Sequence, residues 1–298
     1  MALTNYPNGV ASFGVPTVGS GVLPVTSGKY IFVSSLVGSN GNSGLSTSQP
    51  VATIAQAQVI ADTAKADVIV LMPGHAESLT AAAALTINKS GVYIIGMGTG
   101  ALRPTLTWST STAAQMIVSA ANVTFDNIVF DFTGIDAIVA AISVTGADVA
   151  FLGCTFQTNS GTAGCVLGIL TAATATRLRV ENCLFYGPAT NLGTTTTAQI
   201  KHEVGVDYVI KNNFFTGKMT QSILNATAVL RGLIDNNRFV VATGTVAITM
   251  HASSTPLISN NRINVPSGTA PIVAAAGFVA GNIYSAAAGV TAGVASTF

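Results

Sequence analysis

The sequence predicts an all-β protein, a right-handed parallel β-helix of about eight coils, and three observations support this prediction. One short pattern recurs eight times between Val92 and Tyr284: an apolar residue, one residue, Asn or Gly, two residues, then a residue that is apolar in all copies but the first. Its spacing, from 31 residues down to 21, is typical of solenoids. Thr, Val, Ile and Gly dominate, which disfavours helical repeats, and propeller blades would need about 40 residues each.

The central position of the repeat predicts a sharp bend in every coil. Asn and Gly tolerate a positive φ better than other residues, so we expect a left-handed bend between two strands at each copy. The eight predicted bends are Gly96, Asn127, Gly153, Asn182, Asn212, Asn236, Asn260 and Gly281.

The residues around these bends predict stacked columns inside the coils, because equivalent positions of adjacent coils lie about 4.8 Å apart. One column is an amide ladder of the residues that follow four of the bends, Asn213, Asn237, Asn261 and Asn282. A second is an aromatic stack of Phe130, Phe156, Phe185, Phe215 and Phe239. Eight coils would form a rod on the order of 40 Å long.

Three cysteines do not indicate a disulfide framework. Cys154 and Cys183 occupy the same position of consecutive coils, so we expect them to stack closely. A disulfide between them stays open, and two buried free thiols are favoured.

The chain divides into three parts. Residues 1–28 are rich in Gly, Pro, Ser and Thr and are interpreted as an extended arm. Residues 29–284 are predicted to form the β-helix, beginning with a strand at Tyr30–Val33, a short amphipathic helix over 52–64 and a buried strand after Asp67. The helix would cover the open end of the coil stack, as terminal repeats of solenoids require. Residues 285–298 form an uncharged tail that would cap the other end or pack on a neighbour.

The composition indicates a protein with covered surfaces. Of the 298 residues 49% are hydrophobic, and only 8% are charged against a usual quarter. A net charge of +1 provides no field that would attract nucleic acid or an anionic membrane, so neither is expected as a partner. Lys29 is the single charged residue of 1–61, and no charge follows Arg262. We infer that both ends contact partner chains.

Two parts of the sequence resemble known protein families. The stretches YIFV at 30–33, GSNGNSGLS at 38–46, PVATI at 50–54 and DVIVLMPGH at 67–75 resemble the N-terminal cap of the pectate-lyase-like β-helix superfamily. The opening YPNGV at 6–10 and FGVP at 13–16 resembles β-helix virion structural proteins of tailed bacteriophages. This second resemblance implies a virion protein, a capsid decoration or head-spike component, and a homotrimer.

The acidic residues offer one candidate site. Asp126 and Glu181 precede bends two coils apart, so they would project outward about 10 Å from each other, with Arg179 on the same face and Asp131 nearby. Glycosidases need two carboxylates that flank one bond. An isolated outward patch of carboxylates and arginine is usually solvated surface, so no catalytic role is predicted for these residues.

The histidines suggest no metal or cofactor site. His202, Glu203 and Asp207 form the one His/acid grouping, but a second histidine at zinc-protease spacing is missing. We expect these residues to be polar contacts in a loop, His75 to cap a loop, and His251 to be structural.

The sequence therefore predicts a non-enzymatic virion structural protein, a capsid decoration, cement or head-spike component. It would be attached through residues 1–28 to the major capsid protein or other virion proteins, and located on the virion. The alternative is a tailspike-type enzyme, a lyase or glycoside hydrolase that degrades a polysaccharide, or a spike that binds glycan without cleaving it. The single tryptophan, Trp108, and the few carboxylates argue against an enzyme.

Overall fold

A computed structural model describes residues 10–12, 15–18, 23–158, 164–187, 197–203, 205–242, 246–265, 271–273, 278–286 and 293–295. The chain winds through three sheets in turn, and the eight coils from Val68 to Val273 each contribute a strand to every sheet. This is the predicted parallel β-helix.

Sheet 1 holds the strand before each bend: β3 Tyr30–Val33, β4 Val68–Leu71, β7 Tyr93–Gly96, β10 Thr124–Asp126, β13 Ala150–Leu152, β16 Arg179–Glu181, β20 Val209–Lys211, β23 Val229–Asp235, β26 Thr255–Ser259 and β29 Phe278–Ala280, with β19 Gly205–Val206 beside β23.

Sheet 2 holds the strand after each bend: β5 Ala76–Leu79, β8 Thr105–Trp108, β11 Val129–Asp131, β14 Thr155–Gln157, β17 Leu184–Tyr186, β21 Phe214–Gly217, β24 Arg238–Val241, β27 Arg262–Val265 and β30 Asn282–Ala286, with β31 Gly293–Ala295 added at its edge.

Sheet 3 completes each coil: β6 Leu85–Ile87, β9 Met116–Val118, β12 Ile142–Val144, β15 Leu167–Thr171, β18 Ala198–His202, β22 Gln221–Asn225, β25 Val246–Thr249 and β28 Ile272–Val273. Outside the three sheets lie the strands β1 Val10–Ser12 and β2 Val15–Val18, the helix α1 Ile54–Ile60 and a 3₁₀ turn at Gly100–Leu102.

Seven of the eight predicted bends are left-handed, and the first is not. A positive φ between 50° and 64° is found at Asn127, Gly153, Asn182, Asn212, Asn236, Asn260 and Gly281. Gly96 instead ends strand β7, and the positive φ falls two residues later, at Gly98 with 101°. Gly96 is required for another reason: a Cβ there would come 2.4 Å from the carbonyl oxygen of Asn127 in the next coil.

The predicted amide ladder is confirmed. The Oδ1 atom of Asn237 accepts from the backbone N–H of Asn213 at 2.9 Å and from its Nδ2 at 3.0 Å. Asn261 accepts from Asn237 in the same way, and Asn282 from Asn261. These buried side chains satisfy backbone groups that the bends leave without a strand partner, and they join adjacent coils.

The predicted aromatic column is confirmed as well. Phe130, Phe156, Phe185, Phe215 and Phe239 stack with centroid separations of 5.0, 4.5, 4.5 and 4.8 Å and interplanar angles of 16° or less. The register of sheet 2 sets the separation, because each ring lies opposite its equivalent in the next coil.

The cysteines are free thiols, which answers the question that the sequence left open. Cys154 and Cys183 continue the position of the amide ladder and are buried. Burial, together with the hydrogen bond to Cys154, raises the pKa of the Cys183 thiol. The Cys183 thiol is therefore protonated and unreactive at neutral pH.

The N-terminal end carries the predicted helix, although α1 is shorter than the expected range of 52–64. Thr53 caps it through a hydroxyl that accepts from the backbone N–H three residues on. Ile54, Ala57 and Ala61 face the coil interior and are buried, as predicted. The helix contacts β3 and β6, so it covers the first coil.

Other parts of the two ends are paired too. Strand β31 of the tail runs antiparallel to β30 and covers the last edge of sheet 2. Strands β1 and β2, within the segment predicted to be an arm, form an antiparallel pair that the sequence reading did not predict. In the described ranges no helix is long and apolar enough to cross a membrane.

Candidate functional site

A column of charged residues runs along the corner that leads into sheet 1. Asn122, Asp148, Arg177 and Asp207 each lie two residues before a strand of this sheet, and Arg231 lies at the irregularity inside β23. All five have a φ between 53° and 62°. This shared conformation turns the chain into the sheet in every coil and stacks the five side chains at the strand spacing of about 4.8 Å. We call these residues the corner ladder.

Four members of the corner ladder alternate in charge and pair across coils. Arg177 Nε and Nη2 donate to the two carboxylate oxygens of Asp148 at 2.5 and 2.6 Å. Arg231 donates to Asp207 in the same bidentate way, at 2.7 and 2.9 Å. The hydrogen bonds from the arginines hold the pKa of both carboxyl groups below the usual range, so Asp148 and Asp207 are ionised at neutral pH.

The corner ladder borders a pocket of about 490 Å³ on the outward surface. Its charged lining comes from Asp148, Arg177, Arg179 and Asp207, with Asn122, Thr124, Ala150 and Val209 completing the wall. Three successive coils thus place two guanidinium groups and two carboxylates around one space. Such an arrangement can donate and accept hydrogen bonds at the same time.

The acidic candidates from the sequence are only partly brought together. Arg179 and Glu181 do share the outward face of sheet 1, and Arg179 Nε donates to Glu181 Oε1 at 2.8 Å. Lys211 of the next coil lies 3.5 Å from the other carboxylate oxygen. Asp126 stands two coils away and accepts from the hydroxyl of Tyr93 at 2.7 Å.

Asp131 is not part of this group. It lies on strand β11 of sheet 2, beyond the bend, and its carboxylate accepts from the backbone N–H and the hydroxyl of Thr133. The short distance to Asp126 in the sequence is misleading, because the left-handed bend at Asn127 turns the chain onto another sheet.

The His202, Glu203 and Asp207 grouping is split by the fold. His202 points into the core, where it contacts Thr171 Oγ1 at 3.1 Å and stacks on Tyr208 at 4.4 Å. Burial lowers the pKa of this imidazole to about 4, so it is neutral at physiological pH. Glu203 pairs with Lys201, and Asp207 belongs to the corner ladder.

The other residues singled out in the sequence have structural roles. His75 Nδ1 accepts from the backbone N–H of Ser35, which fits the expected loop cap. His251 Nδ1 accepts from the backbone N–H of Ser253. Trp108 is fully buried and donates to the carbonyl of Ala141 at 3.1 Å, so its ring offers no surface to a ligand. Within the described ranges, no three His, Cys, Asp or Glu side chains converge as metal ligands would.

Sequence reasoning missed the corner ladder, although a signal for it was present. Each member lies five residues before a bend: Asp148 before Gly153, Arg177 before Asn182, and equally for the others. The same repeat that fixes the bends therefore fixes this column. Acid and base alternate at this one position in four successive coils, and that alternation is the sequence signal for the corner ladder.

Comparison with known proteins supports the fold. No family model and no curated protein matches the sequence. The structure is similar to a rhamnogalacturonan lyase, with 11% identity, a TM-score of 0.50 and coverage of 83% of this chain and 84% of that one. It is also similar to pectate lyase Pel9A, with 14% identity, a TM-score of 0.50 and coverage of 88% and 79%.

A third similar structure is the GH136 lacto-N-biosidase from Eubacterium ramulus, with 12% identity, a TM-score of 0.43 and coverage of 87% and 67%. The two lyases are enzymes, and by comparison with them the expectation of a non-enzymatic protein was wrong. At such low identities the likeness concerns the backbone alone. The chain therefore has the parallel β-helix fold that the rhamnogalacturonan and pectate lyases have.

Proposed function

We propose that the protein is a polysaccharide-degrading enzyme whose substrate lies across the pocket at the corner ladder. The observation that carries this proposal is the pocket itself, because three successive coils line it with Asp148, Arg177, Arg179 and Asp207. Its volume of about 490 Å³ is in the range of ligand sites. A β-helix does not need such charges on its outward surface in order to fold, because apolar stacking inside the coils stabilises it.

The paired charges suit the recognition of sugars. A sugar hydroxyl both donates and accepts, and here each guanidinium donor adjoins a carboxylate acceptor. The bidentate pair between Arg177 and Asp148 already fixes both side chains, so little rotamer freedom is lost when a ligand binds. Preorganised groups of this kind favour affinity for the hydroxyl groups of a sugar.

The length of the corner ladder favours a polymer over a small sugar. Five positions at about 4.8 Å span roughly 19 Å from Asn122 to Arg231. A glycan that runs along the solenoid axis would contact several coils at once.

The geometry also limits the chemistry. Asp148 and Asp207 lie two coils apart, about 10 Å, which is just beyond the separation of about 6.5–9.5 Å found between the carboxyl groups of inverting glycosidases. Both are held ionised by arginine, so neither is a ready proton donor at neutral pH. We propose that they accept hydrogen bonds from the sugar, and that Arg177 between them stabilises the negative charge that develops.

A depolymerisation assay tests the proposal. The full chain is incubated with a panel of neutral and acidic polysaccharides, and the product size is followed by chromatography. We expect shortened chains from at least one substrate and a loss of rate on the order of 100-fold in Asp207→Asn or Arg177→Ala. Lys65→Ala, a change at an exposed lysine outside the pocket, is the control and should retain the rate. Unsaturated product ends would identify a lyase, and their absence a hydrolase.

We further propose that the enzyme is of the tailspike type and is carried on a bacteriophage virion as a homotrimer attached through residues 1–28. The resemblance of the opening segment and its lack of charge support this placement. Images of intact particles with and without the protein test this placement on the virion. A protein that stays off the particle, or a chain deleted of 1–28 that still binds it, would contradict the attachment.

A further inference from the structure

The outward face of sheet 2 carries an arrangement that the proposed enzyme site does not use. In the register of this sheet, Phe214, Arg238 and Arg262 lie opposite one another on three consecutive strands. Both arginines are exposed. We call these residues, together with Tyr186 and Asn264 on the same sheet, the sheet 2 patch.

Within the part of the chain that the structure describes, the two arginines of the patch are not paired with an acid, unlike those of the corner ladder. Among the described residues, Arg177, Arg179 and Arg231 form ion pairs, and Arg103 is hydrogen-bonded to a hydroxyl and to carbonyl groups. No carboxylate of the described residues forms an ion pair with Arg238 or Arg262. The acid that is nearest in sequence, Asp235, lies on sheet 1 and accepts instead from Ser259 and Asn260.

Adjacent like charges are a cost to the fold. Two equal charges that face each other on neighbouring strands destabilise a sheet by some tenths of a kcal/mol. At the corner ladder the chain avoids this cost by alternating acid and base, and at sheet 2 it does not. The patch is therefore better explained by a ligand than by stability.

Aromatic and amide groups accompany the charges. The guanidinium carbon of Arg238 lies 5.2 Å from the centroid of the Phe214 ring, which holds this side chain over the ring face. Tyr186, one strand before Phe214, is 37% exposed. Asn264 is exposed on the strand of Arg262 and adds an amide that can both donate and accept.

We propose that the sheet 2 patch binds an anionic glycan, with a carboxylate or sulfate group between Arg238 and Arg262 and a sugar ring against the neighbouring aromatic surface. Guanidinium groups suit planar or tetrahedral anions because they donate two parallel hydrogen bonds. A nucleic acid is disfavoured, since two cations on a chain of net charge +1 neutralise few phosphates. The patch is an ancillary binding surface and does not depend on cleavage at the corner ladder.

Binding isotherms with four defined polymers test this proposal: polygalacturonate, dextran sulfate, neutral dextran and a single-stranded oligothymidylate. We expect polygalacturonate or dextran sulfate to bind and neutral dextran not to. The preferred anion identifies the carboxylate or the sulfate as the ligand group. Either arginine changed to glutamine should weaken binding about tenfold, and the double variant further. Affinity should fall as salt is raised.

Matched variants separate the ligand contact from folding. The double change to lysine keeps both charges and should retain part of the affinity, while Lys65→Gln removes a charge elsewhere and should retain all of it. Circular dichroism and the melting temperature confirm that each variant is folded. Any one of four outcomes would overturn the proposal: equal binding of neutral dextran, tighter binding of the oligothymidylate, binding of neither anionic polymer, or unchanged binding in the double glutamine variant. Cleavage of short oligosaccharides by that variant should be unchanged, which keeps this outcome distinct from failure of the enzyme site.

Discussion

Arg177 and Asp148 lie 29 residues apart in the chain, yet the guanidinium group of one and the carboxylate of the other form a bidentate ion pair across adjacent coils. The pair is at the surface, where solvent screens its contribution to stability. Because the pair borders the pocket, we infer that its main role is to hold the guanidinium and the carboxylate in position for a ligand.

The first prediction follows from this position. Arg177→Ala should leave the melting temperature close to that of the wild type, because an exposed pair stabilises little, but it should strongly weaken substrate binding. Differential scanning calorimetry and a binding isotherm measure the two effects on the same preparation. A large loss of stability with unchanged binding would show that the pair is structural.

The amide ladder should be a principal source of stability. Asn237→Ala removes an oxygen that accepts two hydrogen bonds from Asn213 and a nitrogen that donates to the carbonyl of Ile210 and to Asn261. Because these partners are buried, we expect a loss of about 3 kcal/mol in the free energy of unfolding, measured in urea. The exposed Asn88 is the control, and its change to alanine should cost under about 0.5 kcal/mol. Equal effects of the two changes would refute the role of the ladder.

The aromatic column leads to a third prediction. Phe185 stacks between Phe156 and Phe215 at 4.5 Å on either side. Truncation to alanine would leave a cavity between two rings, and we expect it to cost about 3–5 kcal/mol. Phe278→Ala, at a ring that is 52% exposed, serves as the comparison and should cost far less. Chemical unfolding gives both values, and a small effect at Phe185 would mean that the coils close over the gap.

The buried imidazole of His202 predicts how stability depends on pH. Burial lowers its pKa in the folded state to about 4, below the value of about 6.5 in an unfolded chain. Between these values the unfolded chain binds a proton that the folded chain does not. The contribution is therefore complete above about pH 6.5 and is lost as the pH falls towards 4, by about 3 kcal/mol in all.

Urea unfolding at several pH values measures this slope in the wild type and in His202→Gln. The variant should lose the slope, whereas His251→Gln, at an exposed histidine, should keep it. If the wild type and His202→Gln have the same slope in this range, the imidazole is not the group that titrates.

The interior could be predicted from the sequence because it repeats. The positions of Asn213 and Phe185 relative to a bend determine their neighbours in the next coil, so a local pattern is sufficient to predict the ladder and the column. Gly96 shows the limit of this reasoning. Its need for glycine arises from the carbonyl of Asn127 in the adjacent coil, a contact that its own copy of the pattern does not contain.

The outer surface was harder to predict, because its residues are not constrained by the core. Asp207 was grouped with His202 on the basis of sequence proximity, but the chain turns at the corner and sends one side chain outward and the other inward. The neighbours of a charged residue on a solenoid can be identified only after the register of successive coils is known. Arg238 and Arg262, 24 residues apart, become neighbours in this way.

The measurement that tests the central claim most directly is the rate of polysaccharide depolymerisation by the wild type and by Asp207→Asn, with Lys65→Ala as the control and equal folding shown by circular dichroism. The account predicts shortened polysaccharide from the wild type and the control, and a rate on the order of 100-fold lower from Asp207→Asn. Cleavage that is unaffected by Asp207→Asn would place the active site elsewhere. No cleavage of any polysaccharide by the folded wild type would contradict the proposed function itself.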